Sequence, residues 1–386
     1  MQDFDYLKPD DVYLDAACQS LRPRPVIDAL NRYYTEHNSC GERVKYAWGQ
    51  TTDSLVEETR TKLLKYLKLK SRDYFVSFTL NTTYGINLIL AQLPPNRFQK
   101  VITSDIEHNS PFLATIAYAR QHDLPREVLS RNEDGSLPLD ADYTNALVVV
   151  NVVSNIDGRT LTNLKDLVKT VHKQHGIIIL DAAQALAHNS DLLHKTDADA
   201  LCSSAHKAYG ASLGVIVARR ELIKILEPNI IGGGMVDDVD RDRFQLSAQS
   251  ADHIYTRFEP GLQAWGEIIA FGAALDWLTR LPRAAHESLA HHSETLYDFL
   301  SNHPKVSLLN HAPTPTQSFY IDGLDSHLVG DSLSDQGVMA RTGYFCVHYY
   351  LDHVMHYPPL IRFSLGYHTR ASDIEKTIAL LERMLG

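Results

Sequence analysis

Gly176-Ile177-Ile178-Ile179-Leu180-Asp181-Ala182-Ala183-Gln184 is the stretch that decides the fold. An apolar run with no polar residue on either face reads as a strand covered on both sides, here Ile177 to Leu180 in a parallel sheet. Asp181 then stands at the carboxyl end of that strand, where open α/β sheets take their ligands. Further along, Ala198 to Ser203 reads as another strand and runs into Ser204-Ala205-His206-Lys207-Ala208-Tyr209-Gly210. A carboxylate and a lysine thus follow the ends of two expected parallel strands.

Working outward, strand and helix patterns alternate, which predicts βαβ units and a mostly parallel sheet. Expected strands are Tyr74 to Thr79, Lys100 to Thr103, Ala146 to Val153 and Gly214 to Ala218. Expected helices are Val26 to His37, Leu55 to Leu67, Ile86 to Leu93, Leu164 to His175 and Glu267 to Leu281. Beyond residues 260 to 270 the pattern becomes helix, strands, helix. The reading is therefore a large α/β domain, residues 15–262, and a smaller α+β domain, residues 263–386 together with 1–14.

The 386 residues are 44% hydrophobic and 22% charged, the balance of an ordinary globular chain. A net charge of −10 argues against nucleic acid or an anionic membrane surface as partner. No window is long and apolar enough for a membrane span, and Met1-Gln2-Asp3-Phe4-Asp5 does not open a signal peptide. Cys18, Cys40, Cys202 and Cys346 have neither metal-ligand spacing nor a disulfide framework. A reduced, cytoplasmic protein without a bound metal is expected.

Four strand ends finish in polar residues: Thr82-Thr83, His108, Ser154-Asn155 and Asp181 with Gln184. Lys207 lies on a fifth segment. One such end is routine loop chemistry, but five in register converge on one crevice. Thr82 and Thr83 open a helix and suit an anion, or else form a plain N-cap. His108 suits stacking on a flat ring, or else is a solvated loop histidine. Ser204 and His206 flank Lys207 closely enough to share a phosphate with it. A buried carboxylate paired with an aldehyde-capturing lysine is what pyridoxal phosphate requires, the carboxylate keeping the ring nitrogen protonated.

In the C-terminal part, Arg341-Thr342-Gly343-Tyr344-Phe345-Cys346 sets a cysteine after a glycine loop and near an arginine. It reads equally as a thiolate nucleophile or a small packed hydrophobe. Cys18, Cys40 and Cys202 read as packing residues. Arg362 interrupts the apolar run Leu360-Ile361-Arg362-Phe363, so it needs an anion: a substrate carboxylate or an internal salt bridge.

With these residues in hand, the chain resembles the class V aminotransferase-like enzymes of pyridoxal phosphate fold type I, and among them the cysteine desulfurases and selenocysteine lyases. The motifs run from Val12-Tyr13-Leu14-Asp15-Ala16-Ala17 through Asn81-Thr82-Thr83-Tyr84-Gly85 and Glu107-His108-Asn109. They continue through Val153-Ser154-Asn155, Asp181/Gln184, Ser204-Ala205-His206-Lys207 and Arg257-Phe258-Glu259-Pro260-Gly261 to Arg362-Phe363-Ser364-Leu365-Gly366-Tyr367.

The resemblance implies a mostly parallel, seven-stranded-type sheet with helices on both faces plus the smaller C-terminal α+β domain. It implies that Lys207 holds pyridoxal phosphate, Asp181 its ring nitrogen and Gln184 its phenolic oxygen, with His108 stacked on the ring. Thr82, Thr83, Ser204 and His206 hold the phosphate, while Asn155, Arg341 and Arg362 hold the substrate carboxylate. Cys346 takes sulfur from L-cysteine as a persulfide, releasing alanine, and passes it to an acceptor protein; a homodimer is implied. The other expectation is a C–S or C–Se lyase or aminotransferase of the same family, acting without a Cys346 persulfide. Tyr84, Leu262-Gln263 and Phe345 stand where relatives often carry Glu, Thr and His.

Overall fold

The computed structural model describes residues 2–41, 44–247 and 257–386. Its centre is a seven-stranded sheet in the order Tyr74–Thr79, Gly214–Arg219, Ala200–Ser204, Ile177–Asp181, Ala146–Asn151, Lys100–Ser104, Arg126–Leu129. Every neighbouring pair is parallel except those of Gly214–Arg219, which runs against both its neighbours. The expected α/β sheet is therefore present, with one strand reversed.

Alternate side chains of these strands point to opposite faces. Val148, Val150, Ile178, Leu180, Val215 and Val217 enter one core, and Leu147, Val149, Ile177, Ile179 and Ile216 the other. Helices Arg24–Glu36, Ala47–Tyr66, Leu164–Lys173 and Trp265–Thr279 contribute to the first core. Thr82–Gln92 and Asn109–Gln121 contribute to the second. The two covered faces explain why the central strands are apolar throughout rather than alternating.

A second, antiparallel sheet has the order Val306–Leu308, Thr316–Ile321, Leu360–Ser364, Arg341–Gly343. Near the start of the chain, Val12–Tyr13 pairs in parallel with Val338–Met339, and Asp15 bridges to Ser364. The chain's beginning is thus stitched to its last third. Glycine permits the close packing of Trp265–Thr279: a Cβ on Gly272 would lie 2.4 Å from Thr59 Oγ1.

Several elements differ from the sequence expectation. The second helix begins at Ala47, well before Leu55, and the Ala146 strand ends at Asn151. The edge strand Arg126–Leu129 was not foreseen; as an edge strand it is only partly covered and carries no apolar run. Of the cysteines expected to be packing residues, Cys202 is buried, but Cys40 is exposed and Cys18 half-buried.

Candidate active site

Six strands share one direction, so their carboxyl ends, Thr79, Ser104, Leu129, Asn151, Asp181 and Ser204, lie along one edge of the sheet. The cleft at that edge has a volume of about 290 Å³. All the residues singled out from the sequence line it: Thr82, Thr83, His108, Asn155, Asp181 and Gln184 from the sheet side, Ser204, His206 and Lys207 beside them, and Arg341, Cys346 and Arg362 opposite.

Asp181 is buried at the end of its strand, and Oδ1 accepts the Ala183 N–H at 2.9 Å. Among the described residues it has no ion-pair partner. Burial pushes its pKa up, against the Ala183 N–H and the Lys207 charge. The Lys207 amine likewise has no hydrogen-bond partner among the described residues, and burial pushes its pKa down while Asp181 opposes. Gln184 Nε2 donates to Ala17 O at 2.7 Å, which fixes the amide at the cleft wall.

His108 caps Asn109–Gln121. Its Nδ1 accepts the Ser110 N–H at 3.0 Å, so the neutral ring carries its proton on Nε2. Burial, aided by the Lys207 and Arg362 charges, pushes its pKa down to about 4. At neutral pH the ring is uncharged, the state suited to lying against a cationic heterocycle. His206 is also lowered to about 4, by burial first and then by Lys207 and Arg22.

The anion corner is formed where Thr82–Gln92 starts. Ser204 Oγ accepts the Thr82 N–H at 3.0 Å and shares a hydrogen bond with Thr82 Oγ1 at 2.6 Å. Thr83 Oγ1 reaches Ser110 Oγ at 2.6 Å, and Asn81 Oδ1 accepts the Tyr84 N–H. The Thr83 N–H has no protein acceptor among the described residues. Gly214 lets this loop approach the sheet, because a Cβ there would fall 2.4 Å from Asn81 N.

Opposite lies the arginine end. Buried Arg362 donates from Nη1 to Asn155 O at 2.9 Å and from Nη2 to Asp15 Oδ1 at 3.0 Å. The internal salt bridge that its position allowed is therefore formed, while Nε stays buried without a partner. Arg341 is half-exposed, 3.6 Å from Asp15 Oδ2. Asn155 Nδ2 donates to Phe345 O at 2.9 Å, the Arg362 guanidinium lies over the Phe345 ring at 4.8 Å, and the Asn109 N–H donates to Cys346 O at 2.6 Å. Phe345 and Cys346 both have left-handed backbones, φ 47° and 60°, a strained pair held by these contacts.

Sequence reasoning gave no role to Asp15, Ser110, Asn151 or Glu107, and read Cys18 only as a packing residue. Cys18, Ser110 and Asn151 line the cleft. Glu107 lies fully buried beneath it: it accepts the Ser104 hydroxyl and the Asn151 N–H, and desolvation raises its pKa to about 7. The available signal was an acidic residue directly beside His108 and after an apolar strand, where a buried carboxylate needs partners, here including Arg131 at 3.9 Å.

A model of the aminotransferase class-V family matches residues 12–377. The chain belongs to that family. As a class-V member it is 29% identical to a probable cysteine desulfurase of Pasteurella multocida, over 100% of this chain and 92% of that one. Its fold matches the apo structure of a cysteine desulfurase from Thermococcus onnurineus with TM-score 0.88 and 25% identity, over 97% of this chain and 95% of that one. It is also similar in fold to a cystine C–S lyase solved with its product cysteine persulfide, at TM-score 0.81 and 18% identity, over 97% of both chains.

The class-V cleft fits pyridoxal phosphate. Asp181 is a buried carboxylate without an ion-pair partner among the described residues, as a protonated ring nitrogen demands. Lys207 offers an amine with lowered proton affinity, and the Thr82–Thr83 helix start offers N–H and O–H donors for a phosphate.

Proposed function

We propose that this chain is a pyridoxal-phosphate-dependent cysteine desulfurase, converting L-cysteine to L-alanine and leaving the sulfur as a persulfide on Cys346. The observation that carries the reading is that Cys346 opens onto the same cleft as Lys207 and Asp181. The class-V family and the desulfurase relatives support it.

When bound, pyridoxal phosphate supplies an aldehyde and an electron-withdrawing ring that stabilises charge at the substrate Cα. Lys207 Nζ would capture the aldehyde, Asp181 would hold the ring nitrogen's proton, and His108 would lie against the ring. Thr82, Thr83, Ser204 and His206 would hold the phosphate, and Gln184 the phenolic oxygen. Burial favours the neutral amine of Lys207, which can accept a proton at Nζ and return it. Arg362, Arg341 and Asn155 would bind the substrate carboxylate. Cys346 Sγ bonds to the substrate sulfur as the Cβ–S bond breaks, and a proton replaces sulfur at Cβ: cysteine plus thiol gives alanine plus persulfide.

The same proposal assigns cofactor binding to residues 15–262 and assigns Arg362 and Cys346 to 263–386, packed with 1–14. A sulfur-acceptor protein is part of it, since Cys346 is exposed. A homodimer is also part of it, supported by the outward Tyr34, Tyr46, Trp48 and Leu262, at least half exposed. Four free cysteines support a reduced, cytoplasmic setting.

The test is alanine and sulfide release from L-cysteine with reductant, in the wild type and Cys346→Ala. Matching amounts from the wild type, and none from a yellow, folded variant, uphold the proposal. Undiminished turnover by Cys346→Ala, or pyruvate and ammonia in place of alanine, makes the enzyme a lyase.

A further inference from the structure

The motif Val12-Tyr13-Leu14-Asp15 entered the sequence comparison without a role for its acid. Asp15 divides its carboxylate between two arginines: Oδ1 binds Arg362 Nη2 at 3.0 Å, and Oδ2 faces Arg341 Nη1 at 3.6 Å. Arg362 is almost wholly buried, whereas Arg341 is half-exposed and begins the strand leading to Cys346. Asp15 itself is held in place, because it bridges to Ser364 and the Ala17 N–H binds Ser364 Oγ at 2.9 Å.

Two-point recognition of a carboxylate requires a guanidinium whose plane cannot turn. Arg362 is fixed at Nη1 by the Asn155 carbonyl, at Nη2 by Asp15, and on one face by Phe345. Its Nε has no partner. We propose that Asp15 is a positioning residue for substrate: it holds Arg362 and Arg341 so that their remaining N–H groups take the carboxylate of an α-amino acid. This rests on the reading of Arg362 as the carboxylate site. Asp15 acts through the arginines and does not itself line the cleft. Its second oxygen also links that site to the strand that carries the Cys346 loop.

The test compares equilibrium binding of L-cysteine and cysteamine, which share amine and thiol and differ only in the carboxylate. Binding is read from the visible absorbance of the holoenzyme in a Cys346→Ala background, which removes the proposed sulfur acceptor. Asp15→Asn is expected to weaken L-cysteine roughly tenfold, about 1.4 kcal/mol, and to change cysteamine less than twofold. Asp15→Glu is expected to recover part of the loss. Equal weakening of both ligands, no weakening of L-cysteine, or failure of both variants to fold with cofactor overturns the inference and leaves Asp15 as scaffold. Arg362→Lys separates the two claims. If it too spares L-cysteine, the carboxylate site itself is misassigned; if it weakens L-cysteine while Asp15→Asn does not, only the role of Asp15 falls.

Discussion

Asn155 donates its side-chain amide to the carbonyl of Phe345 at 2.9 Å, tying the loop after one central strand to the loop that presents Cys346. Both Phe345 and Cys346 have left-handed backbones that cost about 1–3 kcal/mol each unless held. Asn155→Ala leaves a buried carbonyl unpaired, a penalty of about 1–3 kcal/mol that falls mainly on this loop. Alkylation of Cys346 by iodoacetamide is expected to speed up severalfold, and kcat to drop roughly tenfold. Unchanged alkylation would show that Asn155 is no clamp.

Asp181→Asn preserves the shape of the side chain and its contact with the Ala183 N–H, but removes the charge. A neutral amide cannot keep a ring nitrogen protonated. Cofactor content should stay near stoichiometric while kcat falls by roughly two orders of magnitude, about 2.7 kcal/mol of barrier. Retention of most of the activity would mean that the ring nitrogen's proton is dispensable.

Glu259, from the Phe-Glu-Pro-Gly motif, is buried where it accepts Arg60 Nη1 and Nη2 at 2.8 and 2.7 Å and the Phe78 N–H at 2.7 Å. Its role is to lock the chain after residue 257 onto the strand leading to the anion corner. Breaking a buried pair by removing one charge costs about 3–5 kcal/mol. Glu259→Gln is expected near the lower end, because the amide still accepts one donor. Urea unfolding measures it, and a loss below about 1 kcal/mol would place the pair among weak surface bridges.

The dependence of stability on acid has a definite sign. His188 is half-buried with its Nδ1 buried and unpartnered, and desolvation, helped by His286 and His368, holds its pKa at about 4 against 6.5 in the unfolded chain. The folded state therefore binds fewer protons: its stabilising contribution is full above 6.5 and is lost as pH falls through 4. Glu107, raised to about 7 from 4.5, acts oppositely, contributing below 4.5 and losing that contribution as pH rises through 7. Between pH 7 and 5, His188→Gln should reduce the acid-induced loss of unfolding free energy by roughly 2 kcal/mol. An unchanged slope would mean that His188 charges freely in the fold.

The sheet was legible wherever burial was two-sided. Ile177–Asp181 and Ala146–Asn151 follow from apolar runs that end in a single polar residue, and the polar residues after them fall on one edge because the strands share a direction. Reversal of Gly214–Arg219 was not legible, since a buried strand has the same pattern in either sense. Arg126–Leu129 was hidden by its partly exposed, polar composition. In the cleft, residues whose chemistry is unusual for a strand end were found, whereas Asp15 and Glu107 were not. Their importance lies in what they touch, and Asp15 meets Arg362 across a separation of 347 residues.

That separation imposes an order on assembly. The side chains lining the cofactor end, from Thr82 to Lys207, belong to one continuous run of strands and helices, within which the Thr82–Ser204 contact spans 122 residues. The arginine end closes only when the parallel pair Val12–Tyr13 and Val338–Met339 brings the two extremities of the chain together. Capacity to hold the cofactor can therefore arise while the polypeptide is still emerging. The power to choose an amino acid arrives last, once the final strands have reached back to the first.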